Sequence, residues 1–175
     1  EEFDWIRSAL SIDDRTDYLD ISRSGRVDPL QRQSRELILD ALESWEEKMR
    51  DVGVIDYLGL TTALSKYKGS LRPRFRSIIV DEVQDFGTTE LEILRNLVDK
   101  AENDLFLCGD LAQHILPKHQ NFSAAGINLS GRAFSIRRNY RNTREILRAA
   151  YEILVENLDE AMLQAGEMDI LDPEY

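Results

Sequence analysis

The sequence has almost no cysteine. Cys108 is the single one in 175 residues, so no internal disulfide can form. That expectation suits a reducing, cytoplasmic setting. Long hydrophobic runs are missing as well. No apolar stretch approaches the roughly 20 residues that cross a bilayer as a helix. The acidic opening EEFDWIRSAL lacks the pattern of a signal peptide, and no Met stands at its head. The chain is therefore expected to be a cut piece of something longer. Low-complexity tracts and internal repeats are absent. With 42% hydrophobic and 31% charged residues, the composition is that of a chain that folds around a core.

Acid is in excess. Asp and Glu number 33 against 22 Lys and Arg, a net charge of −11. Such a chain does not bind nucleic acid over its whole surface. Its charges are unevenly spread, however. KYKGSLRPRFR (66–76) carries Lys66, Lys68, Arg72, Arg74 and Arg76, and residues 131–148 carry six arginines. Clusters of this kind are often just solvated faces.

Periodicity predicts the elements. Residues 1–30 are mixed: FDWIRSAL suits a helical turn or two, and DISRSGRVDP reads as loop. Leu37, Ile38, Ala41, Leu42, Trp45 and Met49 predict a helix over 34–53. On that stripe Trp45 reads as core rather than as a platform for bases. A second helix is expected over 54–67. SIIVD (77–81) has no alternation and predicts a strand buried on both faces. A helix over 88–101 follows, with Thr89 and Glu92 as its capping box. DLFLCGD (104–110) predicts a second buried strand, with Cys108 packed inside it. Strand, helix and strand make a βαβ unit. RAFSI (132–136) is a third strand candidate, and 142–158 a helix with Asn142 as its cap.

Both predicted strands end in acid, Asp81 and Asp110. In open α/β sheets ligands bind outside the carboxyl ends of strands. A strand ending in Asp-Glu suits Mg²⁺ and water. Mg²⁺ wants hard oxygen ligands and keeps several waters, so one protein carboxylate suffices. Asp81 would hold the metal and Glu82 would take a proton from water attacking a γ-phosphate. The competing reading makes these acids surface loop residues or caps of the following helix.

Three ordered motifs sharpen this. IIVDEVQDF contains D-E-x-Q-D as Asp81-Glu82-Val83-Gln84-Asp85. LFLCGDLAQHI contains G-D-x-x-Q-x-I from Gly109 to Ile115. IRRNYRNTREIL contains N-Y-R-x-T from Asn139 to Thr143. In order and spacing they resemble consecutive motifs of the UvrD/Rep-type superfamily 1 DNA helicases. VIDYLGLTTAL (54–64) resembles the helical segment before the first of them. The resemblance covers about residues 54–150.

The resemblance implies an α/β fold: a partial P-loop NTPase (RecA-like) parallel sheet with helices, preceded by a helical segment. Residues 1–68 would be that mainly helical segment and 69–117 the C-terminal half of the first RecA-like domain. Residues 118–175 would be the connection and the start of the second. It implies ATP and Mg²⁺ as cofactors, with Asp81 on the metal. Glu82 would be the catalytic base, Gln113 the γ-phosphate sensor, and Arg141 a phosphate contact from the second domain. Gln84 and Asp85 would help position the water and couple the site to its neighbours, and Asp110 would sit behind Gln113 at the strand end. Tyr140 joins this set by packing beneath the loop. The partner would be single-stranded or partly duplex DNA, with no membrane.

Two departures stand out. No G-x-x-x-x-G-K-[ST] phosphate loop occurs. The piece is thus expected to be inactive alone, with activity in its parent. Aromatic residues on which bases stack are also expected after Gln113, yet Leu116 and Lys118 stand there. His114, His119 and Phe122 are the candidate substitutes. The function implied is a fragment of an ATP-dependent DNA helicase or translocase. The alternative is a nucleotide-gated interaction module on the same fold. In the helicase reading the basic runs would lie near the nucleotide cleft or the DNA track.

Overall fold

The computed structural model describes residues 1–23, 29–110, 113, 116–136 and 141–157, without the side chains of 154–157. Tyr140, Asn139 and His114 lie outside these. The backbone forms two compact units, Glu1–Asn128 and Leu129–Tyr175.

The first unit opens with helix α1 (Glu2–Ala9), a 3₁₀ stretch (Ile12–Leu19) and the long helix α2 (Arg32–Asp51). Trp5, Ile6, Ala9, Tyr18 and Leu42 form their buried core, with Trp45 against its edge. Trp45 thus serves packing, as its place on the stripe predicts: Phe3 lies 6.0 Å away and the Arg7 guanidinium 5.0 Å over its ring. Arg7 is itself buried. It donates to both carboxylate oxygens of Asp56 and lies 3.3 Å from Glu46. Asp56 in turn caps helix α3 (Tyr57–Ser65) by accepting from the Gly59 N–H. One buried cation therefore ties three helices together.

Two strands follow, β1 (Ile78–Val80) and β2 (Leu105–Leu107), with helix α4 (Thr88–Asn96) between them. They pair in parallel, Ile78 with Leu105 and Val80 with Leu107. The βαβ reading and the α/β class hold at this level. One face of the pair packs on a core of Val80, Val83, Leu91, Ala125 and Ile127. The other face is bare. Ile79 is 76% exposed and its neighbour Phe106 is 63% exposed. The expectation of strands buried on both faces is thus corrected, because this chain supplies layers for only one side.

Three local readings also change. Helix α4 starts at Gly87, whose N–H is capped by the Glu90 carboxylate at 2.7 Å, so the capping residue is Glu90 rather than Glu92. Residues 132–136 form no strand; Phe134 and Ile136 stand in solvent. Helix α5 (Arg144–Asn157), in the second unit, begins after Thr143, whose hydroxyl lies 3.5 Å from the Ile146 N–H. Among the described residues no helix is long and apolar enough to cross a membrane.

Candidate active site

The site grows from an irregularity in the parallel ladder. Beyond β2, the Cys108 N–H donates to the Val80 carbonyl at 2.9 Å. A regular parallel ladder would return the next bond from residue 82. It comes instead from the Val83 N–H to the Cys108 carbonyl, at 2.9 Å. One extra residue is therefore inserted, and Glu82 takes it up in the left-handed region, at φ 52° and ψ 46°. Such a conformation costs a non-glycine residue about 1–2 kcal/mol. Strain of this kind persists where the surroundings over-determine it.

Gln84 supplies that determination. Its side chain is only 3% exposed. Its Nε2 donates to Glu82 Oε2 at 2.7 Å, and its Oε1 accepts from the Asp110 N–H at 3.0 Å. One amide thus spans the loops after both strands. From there Asp110 Oδ2 accepts from Gln113 Nε2 at 2.8 Å. Glu82, Gln84, Asp110 and Gln113 form one chain of hydrogen bonds. Gly109 makes it possible: a β-carbon there would stand 2.3 Å from Gln84 Oε1 and 2.9 Å from the Val83 nitrogen.

Asp81 is exposed at the end of β1. Its Oδ1 accepts from the Glu82 N–H at 3.0 Å and from the Cys108 thiol at 3.2 Å. The Cys108 thiol is pushed up from its ordinary pKa, first by that hydrogen bond to Asp81. Cys108 is thus a half-exposed neighbour of the site, not the packed strand residue expected. Among the described residues no group of three or more His, Cys, Asp or Glu could hold a metal alone. One free-facing carboxylate is nevertheless the donor that a Mg²⁺ carried on a nucleotide phosphate takes from a protein.

Asp85 acts differently from its neighbours. Its backbone carbonyl, not its carboxylate, accepts a bond, from Lys118 Nζ at 2.8 Å. Lys118 also grips Glu90 at 2.8 Å. Gln120 Nε2 donates to the Val83 and Phe86 carbonyls. His119 packs against Trp5 at a 45° tilt with ring centres 5.0 Å apart, and Phe122 packs on the sheet core. His119 and Phe122 are therefore engaged within the fold rather than free to take bases. Ser8 closes the support: its hydroxyl accepts from the His119 N–H at 3.0 Å, and its β-carbon would lie 2.5 Å from one added at Gly87. Sequence reasoning missed this brace of Ser8, Lys118, Gln120 and Gly109. Of the four, only Gly109, inside a motif, carried a signal.

Arg141 is exposed in the second unit. The basic run 66–76 leads into the amino end of β1, opposite Asp81. Two places are expected for it, the nucleotide cleft or the DNA track, and this end of the strand lies away from the acids that follow β1.

The UvrD/REP helicase N-terminal domain family model matches residues 9–117 of this chain. The chain belongs to that family. UvrD/REP relatives include an ATP-dependent helicase/nuclease subunit of Staphylococcus aureus strain bovine RF122 / ET3-1. It is 26% identical over 157 residues, which cover 76% of this chain and 13% of that protein. Its counterpart in strain JH9 is 26% identical over 156 residues, covering 75% and 12%. The chain thus spans about an eighth of the length of these curated relatives. No solved structure matches this UvrD/REP segment.

Proposed function

We propose that this chain is the segment of an ATP-driven DNA helicase or translocase that carries the hydrolytic residues of its first RecA-like domain. The observation that carries the reading is the Gln84 bridge. A motor must report the state of phosphate at one loop to the rest of the fold. Here one buried amide joins the loop of Glu82 to the loop of Asp110 and Gln113.

In this reading Asp81 would hold the Mg²⁺ of a bound nucleotide. The metal would neutralise developing phosphate charge. Glu82, strained toward its partner, takes the proton of the attacking water. Gln84 fixes the orientation of that carboxylate. Gln113 would meet the γ-phosphate, its amide exchanging Asp110 for a phosphate oxygen. Arg141, by its place in the N-Y-R-x-T motif, is the forked positive charge that this reading assigns to phosphate. Asp85 anchors the turn through its backbone. Since the chain holds no phosphate loop of its own, turnover is a property of the longer polypeptide.

The test compares Glu82→Gln and Asp81→Asn in the full natural polypeptide. Glu82→Gln should bind nucleotide normally and lose turnover. Asp81→Asn should need more Mg²⁺ to bind the same nucleotide. Near-normal turnover in Glu82→Gln would remove Glu82 from the role of base. The nucleotide-gated alternative would show as tight binding without turnover in the unaltered protein.

A further inference from the structure

The 3₁₀ turn Val83–Asp85 directly follows the strained Glu82 and carries Gln84 at its centre. Two backbone bonds close it. The Asp85 N–H donates to the Glu82 carbonyl at 3.0 Å, and the Phe86 N–H to the Val83 carbonyl at 3.1 Å. Short turns of this kind have poor hydrogen-bond geometry of their own. This one is gripped from outside by the segment 118–120. Lys118 Nζ donates to the Asp85 carbonyl at 2.8 Å. Gln120 Nε2 donates to the Val83 carbonyl at 2.6 Å and to the Phe86 carbonyl at 2.9 Å. His119, between them, is pinned as well: its carbonyl accepts from the Thr88 N–H at 2.9 Å, and its N–H donates to the Ser8 hydroxyl at 3.0 Å. The Lys118 side chain is 16% exposed and that of its ion-pair partner Glu90 18%. Glu90 also caps the Gly87 N–H at the start of α4. The grip is therefore founded on a helix end rather than on a free loop.

This segment lies just beyond Gln113, where stacking rings are expected and Lys118 stands instead. Its ammonium is engaged with the turn. A bond from an ammonium to a carbonyl is roughly twice as strong as one between neutral groups. What such a bond secures here is position. Gln84 orients the Glu82 carboxylate at 2.7 Å, and Gln84 goes where the turn goes. A group misplaced by about 1 Å can cost about 100-fold in rate. Nucleotide affinity need not follow, because Asp81 lies ahead of the turn, at the end of β1.

We propose that Lys118 and Gln120 are positioning residues for hydrolysis: by holding the carbonyls of Val83, Asp85 and Phe86 they place Gln84, and through it the Glu82 carboxylate. Both act through the turn. The inference deepens the hydrolytic reading and rests on it for its purpose; the clamp itself rests on these contacts alone.

The experiment uses the full natural polypeptide and follows ATP turnover, ATP affinity and amide hydrogen exchange together. Lys118→Met, which keeps the length of the side chain, should lower kcat about 10- to 100-fold while ATP affinity stays within about twofold. Gln120→Met should act in the same direction, and it carries the test where Lys118→Met does not fold, since it buries no unpaired Glu90. Lys118→Arg should recover most of the loss, because a guanidinium can donate to both the Asp85 carbonyl and Glu90. In Lys118→Met the amides of Asp85 and Phe86 should exchange about 10-fold faster, as a lost charged hydrogen bond implies. The Cys108 amide, bonded to Val80 in the ladder, should not change. Unchanged kcat in both Met variants would overturn the positioning role. A fall in ATP affinity equal to the fall in kcat would make these residues binding contacts and overturn it too. Unchanged exchange at Asp85 and Phe86 would overturn the clamp itself. No turnover by the unaltered polypeptide, with the exchange result intact, would sink the hydrolytic reading and leave the clamp standing.

Discussion

Gly109→Ala is the substitution whose consequence the geometry fixes most closely. The new methyl would meet Gln84 Oε1 at 2.3 Å, Val83 Cγ1 at 2.9 Å and the Val83 nitrogen at 2.9 Å. A glutamine tip in solvent would swing away at little cost. This one is 3% exposed and holds Glu82 on one side and the Asp110 N–H on the other. Overpacking a tight site costs about 1–3 kcal/mol. A buried donor left without its acceptor adds about 1–3 kcal/mol. The expected loss is about 2–6 kcal/mol, a large share of the roughly 5–15 typical of a domain. Urea unfolding followed by far-UV circular dichroism measures it. The double variant with Gln84→Ala isolates the clash, because the nearest obstructing atom is then gone. The two losses should fall short of additive by about 1 kcal/mol or more. A Gly109→Ala loss under about 0.5 kcal/mol with strict additivity would refute the close approach and with it the bridging role of Gln84.

Glu82→Gly relieves a left-handed conformation costing about 1–2 kcal/mol but leaves the buried Gln84 Nε2 without its acceptor, at about 1–3 kcal/mol, so stability should fall by no more than about 2 kcal/mol; turnover in the parent should vanish, and a loss above about 3 kcal/mol would show that the conformation is unstrained. The side-chain hydrogen bond from Arg7 is the main cause of an Asp56 carboxyl held below its usual range. The stability this pair contributes is present above the ordinary carboxylate value and is lost as pH falls through the depressed one, so Asp56→Asn should start less stable and decline less steeply below about pH 4. Burial, then the hydrogen bond to Glu2, pushes the Tyr18 hydroxyl up to about 12. Its contribution is full below the free tyrosine value of about 10 and is lost as pH rises toward 12. Absorbance titration should show one of the six tyrosines ionising last, and Tyr18→Phe should remove that step.

Much of the middle of the chain was legible from pattern. SIIV and LFL announce strands because apolar, mostly branched residues fill them, and the intervening LEIL stretch carries a helical stripe. What pattern cannot tell is whether both faces of such a strand meet a partner. Ile79 and Phe106 are as apolar as their neighbours yet stand in solvent. The first 23 residues hid their role for a different reason. Trp5, Ile6 and Tyr18 meet Leu42 only through tertiary folding, and a 3₁₀ stretch crowded with Asp13, Asp14, Arg15 and Asp17 has a period of three that a helical window misses. At the site, the motifs named Glu82, Gln84, Asp110 and Gln113. They did not reveal that a single amide links them, because that link depends on an inserted residue and on the missing side chain of Gly109. The bonds of Lys118, His119 and Gln120 reach back more than 25 residues, and no local spacing encodes them.

Hydrolysis centred on Glu82 and coupled to DNA is the central claim. The most direct measurement is steady-state ATP turnover by the full natural polypeptide, with and without single-stranded DNA, beside its Glu82→Gln variant at matched nucleotide occupancy. DNA should raise turnover in the unaltered protein, and the variant should bind ATP yet turn over almost none in either condition. Equal turnover by the two proteins, or turnover indifferent to DNA, would contradict the claim.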